Sequence, residues 1–254
     1  MLFWMLIFLA AALVIAPLAG WLGQATEQLA ERSGEGVGGS LTPPLATPLS
    51  WSFALSALRA GLHDVVKASL VGSIVGNILL VLGASMLAGG LRQKEQHCNA
   101  SAARSQVAMA TLVIAWISEI LVSVIEPSAR QLGLSNLFVG VFIVAILGNA
   151  AEHSSAISAA MKNRMDLSLS IAIGSSVQVA LFVAPVLVLA SYAIGSVAMD
   201  LAFFGGLVLS VLLAVLITGQ VAGDGRSDWL KGVQLIAVYL ILGLAYFFTP
   251  DIPN

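Results

Sequence analysis

The sequence predicts an all-α integral membrane protein with about eight transmembrane helices built on two inverted repeats. Three observations predict it. Of 254 residues, 59% are apolar and only 9% charged, too little charge to cover a water-facing surface. The apolar residues gather into runs long enough to cross about 30 Å of hydrocarbon, which takes roughly 20 residues. Finally, residues 54–83 resemble residues 156–185 at a fixed offset of 102.

The runs are 2–20, 45–61, 65–91, 106–126, 135–161, 167–193, 198–220 and 229–248. The first has no positive n-region and no small-residue cleavage site near residue 20, so it reads as a retained span rather than a signal peptide. The second is disturbed by Pro43, Pro44 and Pro48. Basic residues divide unevenly between alternate loops. Arg32, Arg92, Lys94, Arg104, Lys162, Arg164, Arg226 and Lys231 fall on one side, and Arg59, Lys67 and Arg130 on the other. The richer side reads as cytoplasmic, which puts both termini away from the cytoplasm. Net charge is −2 with no basic block, so nucleic acid is not an expected partner. A single cysteine, Cys98, excludes an internal disulfide and a multi-cysteine metal site.

In the repeat, Ala54, Ser56, Ala57, Asp64, Gly72, Ser73, Val75, Leu79 and Val81 meet Ala156, Ser158, Ala159, Asp166, Gly174, Ser175, Val177, Leu181 and Val183. The first copy begins in the second run and the second in the fifth. That odd difference makes the copies run oppositely through the bilayer, with a binding site expected where they meet near mid-membrane. Residues 1–105 and 106–254 are then the two halves of one membrane domain.

Glu152 lies deep in the fifth run, where a carboxylate is costly and marks an ion or proton pathway; the bland alternative is a carboxyl that only holds helices together. Gly148 and Asn149 just before it are placed to open the helix, and Ser175, Ser176 and Gln178 put hydroxyl and amide oxygens on the neighbouring span. Hard oxygens of this kind suit Ca²⁺ rather than a soft metal. Glu119 is a second proton-relay or vestibule candidate, with helix packing as the alternative, and His153 stands beside Glu152 to tune its protonation or to make an interhelical hydrogen bond. Glu27 reads as interfacial, and Asp64 and Asp166 as charges at helix N-termini. The Glu95-Gln96-His97-Cys98 cluster reads as a solvated loop. No nucleophile–base pair, phosphate loop or zinc-ligand spacing occurs, so no enzymatic activity and no cofactor is expected.

The stretch GNAAEH…KNRMDLSLSIAIGSSVQVALFVAP, residues 148–185, resembles the second signature repeat of the calcium/proton antiporter family. HDVVKASLVGSIVGNILLVLGASMLAGGLRQKEQ, residues 63–96, resembles the latter part of the first, and WLGQATEQLAERSGEGVGG the segment leading into it. The resemblance implies exchange of cytoplasmic Ca²⁺ for protons by alternating access, with one acidic residue from each repeat on the ion. By motif match Glu152 is the second-repeat acid, Ser175 and Gln178 its supporting polar positions, and Ser73 and Asn77 those of the first repeat. It further implies a bacterial inner-membrane location and allows a homo-oligomer, a trimer among them.

The chain departs from that pattern in three places. Offset 102 sets Ser50 opposite Glu152, where the family has a glutamate. Residues 40–53, SLTPPLATPLSWSF, are what the family-like string LLNATFGNATELVI becomes when suitable codons for it are read one base late. This points to a base lost near Gly39 and one gained near Ala54. The family's extra N-terminal span is not seen before Met1. The fourth run joins ARSQVAMATL, the start of one family span, to LVIAWISEILVSVIEP, part of a later one, without the spans between. With one deep carboxylate left, weak or absent Ca²⁺ exchange is expected; a non-transporting remnant and a passive cation-binding or channel-like protein are the alternatives.

Overall fold

The computed structural model describes residues 48–91, 133–194, 198–222 and 227–249, with isolated helical positions at Leu6, Ala10 and Leu13. The runs 2–20 and 106–126 therefore lie largely or wholly outside the described residues, as do Glu27, Pro43, Pro44, Cys98 and Glu119. Every described element is helical. We label them α1 (Pro48–Arg59), α2 (His63–Leu91), α3 (Asn136–Gly148), α4 (Ala150–Met161), α5 (Met165–Ile194), α6 (Gly205–Ala222) and α7 (Trp229–Phe247). α2, α5 and α7 are long and apolar enough to cross a membrane, and α3 and α4 together pass the same test as a pair bent by 59°.

Local chemistry sets the boundaries. Pro48 occupies the first position of α1, where a missing N–H costs nothing. The expected disturbance by Pro43, Pro44 and Pro48 turns on the chain before residue 48, which lies outside the described residues. Ser135 opens α3 by accepting from the Phe138 N–H at 3.1 Å, and Asp228 opens α7 by accepting from Lys231 N–H at 2.9 Å. Asp64 and Asp166 sit in the first turns of α2 and α5 without a side-chain cap bond, so their contribution there is to the helix dipole.

The repeat is visible element by element. Shifting α1 by 102 residues gives 150–161, the bounds of α4, and shifting the start of α2 gives that of α5. The turns match as well: Gly61 and Asn163, 102 apart, both take positive φ, at 76° and 61°. Glycine and asparagine are the residues that tolerate this conformation. Each long helix also carries a π-helical stretch at the corresponding place, Gly76–Val81 in α2 and Val179–Val183 in α5. A third interrupts α3 at Val139–Val144. Such stretches shift the side chains that follow and recur at functional sites.

The packing is reciprocal. The end of α2 lies on α4, and the end of α5 lies on α1. Since α4 leads directly into α5, the C-terminal end of α2 sits beside the N-terminal end of α5, and the two long helices cross antiparallel. At the crossing, Ser176 Oγ meets the Ile74 carbonyl at 3.5 Å. These two residues are themselves 102 apart, so the pseudo-two-fold axis passes between them.

Two apolar clusters flank the crossing. One gathers Phe53, Leu58, Val66 and Leu187; the other gathers Leu79, Leu82, Met86, Leu167, Ile171 and Tyr239. Leu181, Leu189, Leu212, Leu216, Leu240 and Leu244 are exposed, as faces turned to hydrocarbon are. Near the start of α2, Lys67 bonds Asp200 and the Ala202 carbonyl, tying α2 to the segment that precedes α6. Lys67 holds the exposed Asp200 carboxyl below the usual carboxylate range. That pairing is present at neutral pH and is lost as acid titrates the carboxyl.

Glycines set the closest helix approaches. A Cβ on Gly232 of α7 would lie 2.6 Å from both the Gly83 carbonyl oxygen and the Leu87 amide nitrogen of α2, atoms that cannot retreat without moving backbone. Gly232→Ala is therefore expected to destabilise the fold by about 2 kcal/mol, seen as a lower melting temperature in detergent. Gly219→Ala is the control, since nothing lies within 4 Å of its Cβ position. Equal melting temperatures for both variants would refute this packing.

Candidate functional site

A carboxylate in the middle of a bilayer needs hydrogen-bond donors close by, and the helix crossing supplies them. α3 ends at Gly148, and Asn149 leaves helical geometry at φ −104° and ψ 12° before α4 begins at Ala150. The break that Gly148 and Asn149 suggest in the sequence thus falls between those residues and α4. It aims Glu152, in the first turn of α4, at the α2–α5 crossing. Glu152 is 1% exposed.

The Ser175 hydroxyl donates to Glu152 Oε2, and Asn77 Nδ2 donates to Ser175 Oγ at 3.0 Å. Asn149 Nδ2 donates to Ser73 Oγ and to the Ala145 carbonyl, both at 2.7 Å, and Ser73 passes its own proton to the Ser69 carbonyl at 2.8 Å. Each copy of the repeat thus contributes to a network that closes across the pseudo-two-fold axis.

Within this cluster three buried oxygens have no hydrogen-bond donor among the described residues: Glu152 Oε1, Asn77 Oδ1 and Asn149 Oδ1. The donors of the cluster are spent on its other side chains and on backbone carbonyls, and these acceptors are left over. Acceptor-only oxygens, one of them charged, are what a hard cation requires. Among the described residues no three Asp, Glu, His or Cys side chains come together, and Glu152 is the carboxylate of this cluster.

Ser50 faces the same site from α1. Its hydroxyl donates to the Gly148 carbonyl at 2.7 Å, across the helix break. Beside it is a cavity of about 20 Å³ lined by Ser50, Ser69, Ser73, Gly148 and apolar neighbours, room for about one water-sized occupant. The pocket is the pseudo-symmetric image of the place that the Glu152 carboxyl fills.

Of the residues singled out from the sequence, Glu152, Asn149, Ser175, Ser73 and Asn77 come together, and Ser50 adjoins them. Gln178 does not join: it is half-buried at the end of its α-helical stretch and makes no hydrogen bond with the cluster. Ser176 bonds the Ala172 carbonyl at 2.9 Å and marks the axis instead. The Nε2 of His153 is buried without a partner among the described residues. Glu119 lies outside the described residues. Sequence reasoning missed Ser69, whose carbonyl receives the Ser73 proton; its position one turn before Ser73 was the available signal.

Two antiparallel copies of one helical unit, with a buried site of one carboxylate and several neutral oxygens at their crossing, define a membrane protein of the inverted-repeat transporter class. The chain belongs to the sodium/calcium exchanger protein family, whose model matches it twice, over residues 3–107 and 104–248. It is 35% identical to a Ca²⁺/H⁺ antiporter of Aphanothece halophytica, over 98% of this chain and 91% of that protein. It is 32% identical to the Ca²⁺/H⁺ antiporter ChaA of Bacillus subtilis, over 95% and 92%. The first of these alignments runs to 342 positions against the 254 residues of this chain, so the relative carries residues within it that this chain lacks. Among solved structures, native YfkE matches with a TM-score of 0.84 at 33% identity, over 95% of this chain and 92% of that one. The H⁺/Ca²⁺ exchanger CAX matches at 13% identity with a TM-score of 0.64, a likeness of fold.

Proposed function

We propose that the chain is a Ca²⁺/proton exchanger working by alternating access, with Glu152 as the shared ion and proton ligand, and that its exchange is weak with Ser50 at position 50. The observation that carries the reading is the cluster of Glu152 Oε1, Asn77 Oδ1 and Asn149 Oδ1, buried together where the two copies cross. Ca²⁺ and protons compete for one carboxylate: the ion needs it charged, and a proton neutralises it. Each substrate displaces the other, which is the physical basis of antiport. Ser175, itself bonded by Asn77, holds one oxygen of Glu152 in place and leaves the other for the ion. Ser73 and Asn149 form the first-repeat side, with Gln178 and His153 at the margin and Glu119 as a further proton-relay candidate.

Ca²⁺ is best served by six to eight oxygens and by more than one carboxylate. A single carboxylate leaves about one positive charge uncompensated at mid-membrane, a cost of about 3 kcal/mol. The remnant reading draws on the Ser50–Gly148 bond, which occupies a carbonyl at the helix break that an ion could otherwise use.

The test is proton-driven ⁴⁵Ca²⁺ uptake into inverted membrane vesicles. Slow uptake that collapses when the proton gradient is dissipated supports the proposal. Uptake as fast as that of a two-carboxylate relative overturns the claim of impairment, and ion flux without a proton gradient favours a channel. We further place the protein in a bacterial inner membrane, with residues 1–105 and 106–254 as its repeat halves, both termini away from the cytoplasm and no catalytic activity. Alkaline phosphatase fused after Asn254 is then expected to be active, because it folds only outside the cytoplasm; an inactive, stably expressed fusion would reverse the orientation.

A further inference from the structure

The two copies differ most in what lies between the site and the membrane face. On the side of the α4–α5 turn, Ser85 and Ser168 are 0% exposed, and neither hydroxyl has a hydrogen-bond partner among the described residues. Burying a hydroxyl without a partner is costly, and here two do so between the same three helices.

Their heights follow from the packing. A Cβ on Gly89 would lie 2.9 Å from the Ala160 carbonyl, so the end of α2 is level with the end of α4. Ser85, four residues back, is about 6 Å deeper. Ser168 lies in the first turn of α5, its N–H bonded to the Arg164 carbonyl at 3.1 Å. Glu152 is nine residues before Met161, about 14 Å from the turn at helical rise. One turn on from Glu152 stands Ser155, its hydroxyl on the Ala151 carbonyl at 3.0 Å. Ser168, Ser85, Ser155 and Ser175 thus step from the turn at Lys162 and Arg164 down to the carboxylate.

At the mirror positions, 102 residues away, stand Val66 for Ser168, Leu187 for Ser85 and Phe53 for Ser155. All three are buried in one apolar cluster. Hydroxyls thus stand between one face and the site, where the mirror half has hydrocarbon at the same positions and its small cavity, beside Ser50, lies at the level of the site.

We infer that Ser85 and Ser168 line a hydrated path by which protons reach Glu152 from the membrane face bearing Lys162 and Arg164, while Val66 and Leu187 seal the opposite half. The inference rests on the exchange reading, since only a substrate proton needs such access, but it is tested without transport. Single-cysteine variants Ser85→Cys, Ser168→Cys, Val66→Cys and Leu187→Cys are made in a Cys98→Ala background, with Asn163→Cys in the turn as a reference. Each is treated in sealed vesicles of both orientations with a small membrane-impermeant cationic methanethiosulfonate. A thiol reacts as its thiolate, so modification requires water.

Ser85→Cys and Ser168→Cys are expected to react from the face that labels Asn163→Cys, at least tenfold faster than the mirror pair. Silence at either serine position while Asn163→Cys reacts overturns the inference, as does equal labelling of Val66→Cys and Leu187→Cys. The swap of serine for cysteine is nearly isosteric, and unchanged elution in size-exclusion chromatography shows that each variant is folded. A labelled path in a chain that moves no Ca²⁺ would remove the exchange reading and leave a hydrated path of other use. Exchange without labelling would remove the path alone.

Discussion

Ser50→Glu is expected to raise proton-driven Ca²⁺ uptake about a hundredfold over the chain with serine. The second carboxylate removes the uncompensated charge of a bound Ca²⁺, about 3 kcal/mol, and each 1.4 kcal/mol is a factor of ten. A partner is at hand, and part of the space. The cavity of about 20 Å³ beside Ser50 opens on Ser73, which stands to position 50 as Ser175 stands to Glu152. The new side chain also gives up the Ser50 bond to the Gly148 carbonyl, freeing that oxygen. The gain is read as initial ⁴⁵Ca²⁺ uptake per unit of folded protein in inverted vesicles. Replacing residues 40–53 by LLNATFGNATELVI is expected to do at least as well, because it returns an asparagine to position 47 opposite Asn149. If both variants stay at the level of the starting chain, the shortened middle of the protein sets the limit and the missing acid does not. Resequencing codons 40–53 decides separately whether the acid is absent from the gene.

Glu152→Gln is expected to abolish proton-coupled uptake in the Ser50→Glu background, a loss of at least a hundredfold. The amide keeps the shape and can still accept from Ser175, but it carries no charge for Ca²⁺ and takes no proton in exchange. The two substrates then no longer compete for one group. The informative control is Gln178→Ala, which lies outside the hydrogen-bonded cluster and is expected to change uptake less than threefold. Retention of proton-coupled uptake by Glu152→Gln would remove Glu152 from the centre of the mechanism. Equal losses in the two variants would show damage to the fold instead.

Much of this was legible in the sequence. Composition alone made it a membrane protein, because 9% charge cannot clothe a water-soluble surface. The offset of 102 carried the repeat, and helices, turns and π-helical stretches all recur at it, since each copy folds on local chemistry that it shares with the other. Glu152 declared itself by depth, and Gly148-Asn149 by a local tendency to break a helix that the structure realises as a 59° bend.

Only the tertiary structure decided which oxygens face Glu152. Ser175 and Gln178 are three residues apart on one helix and looked equivalent, yet one bonds the carboxyl and the other does not. Asn77 reaches Ser175 across 98 residues of sequence, and Asn149 reaches Ser73 across 76. Helical periodicity fixes which residues share a face, whereas the angle at which that face meets a partner depends on close glycine contacts and on the packing of remote helices. Ser50 is the clearest case. The sequence marked it as the residue out of place, and the fold gave it a carbonyl to bond and a small cavity beside it that opens on Ser73.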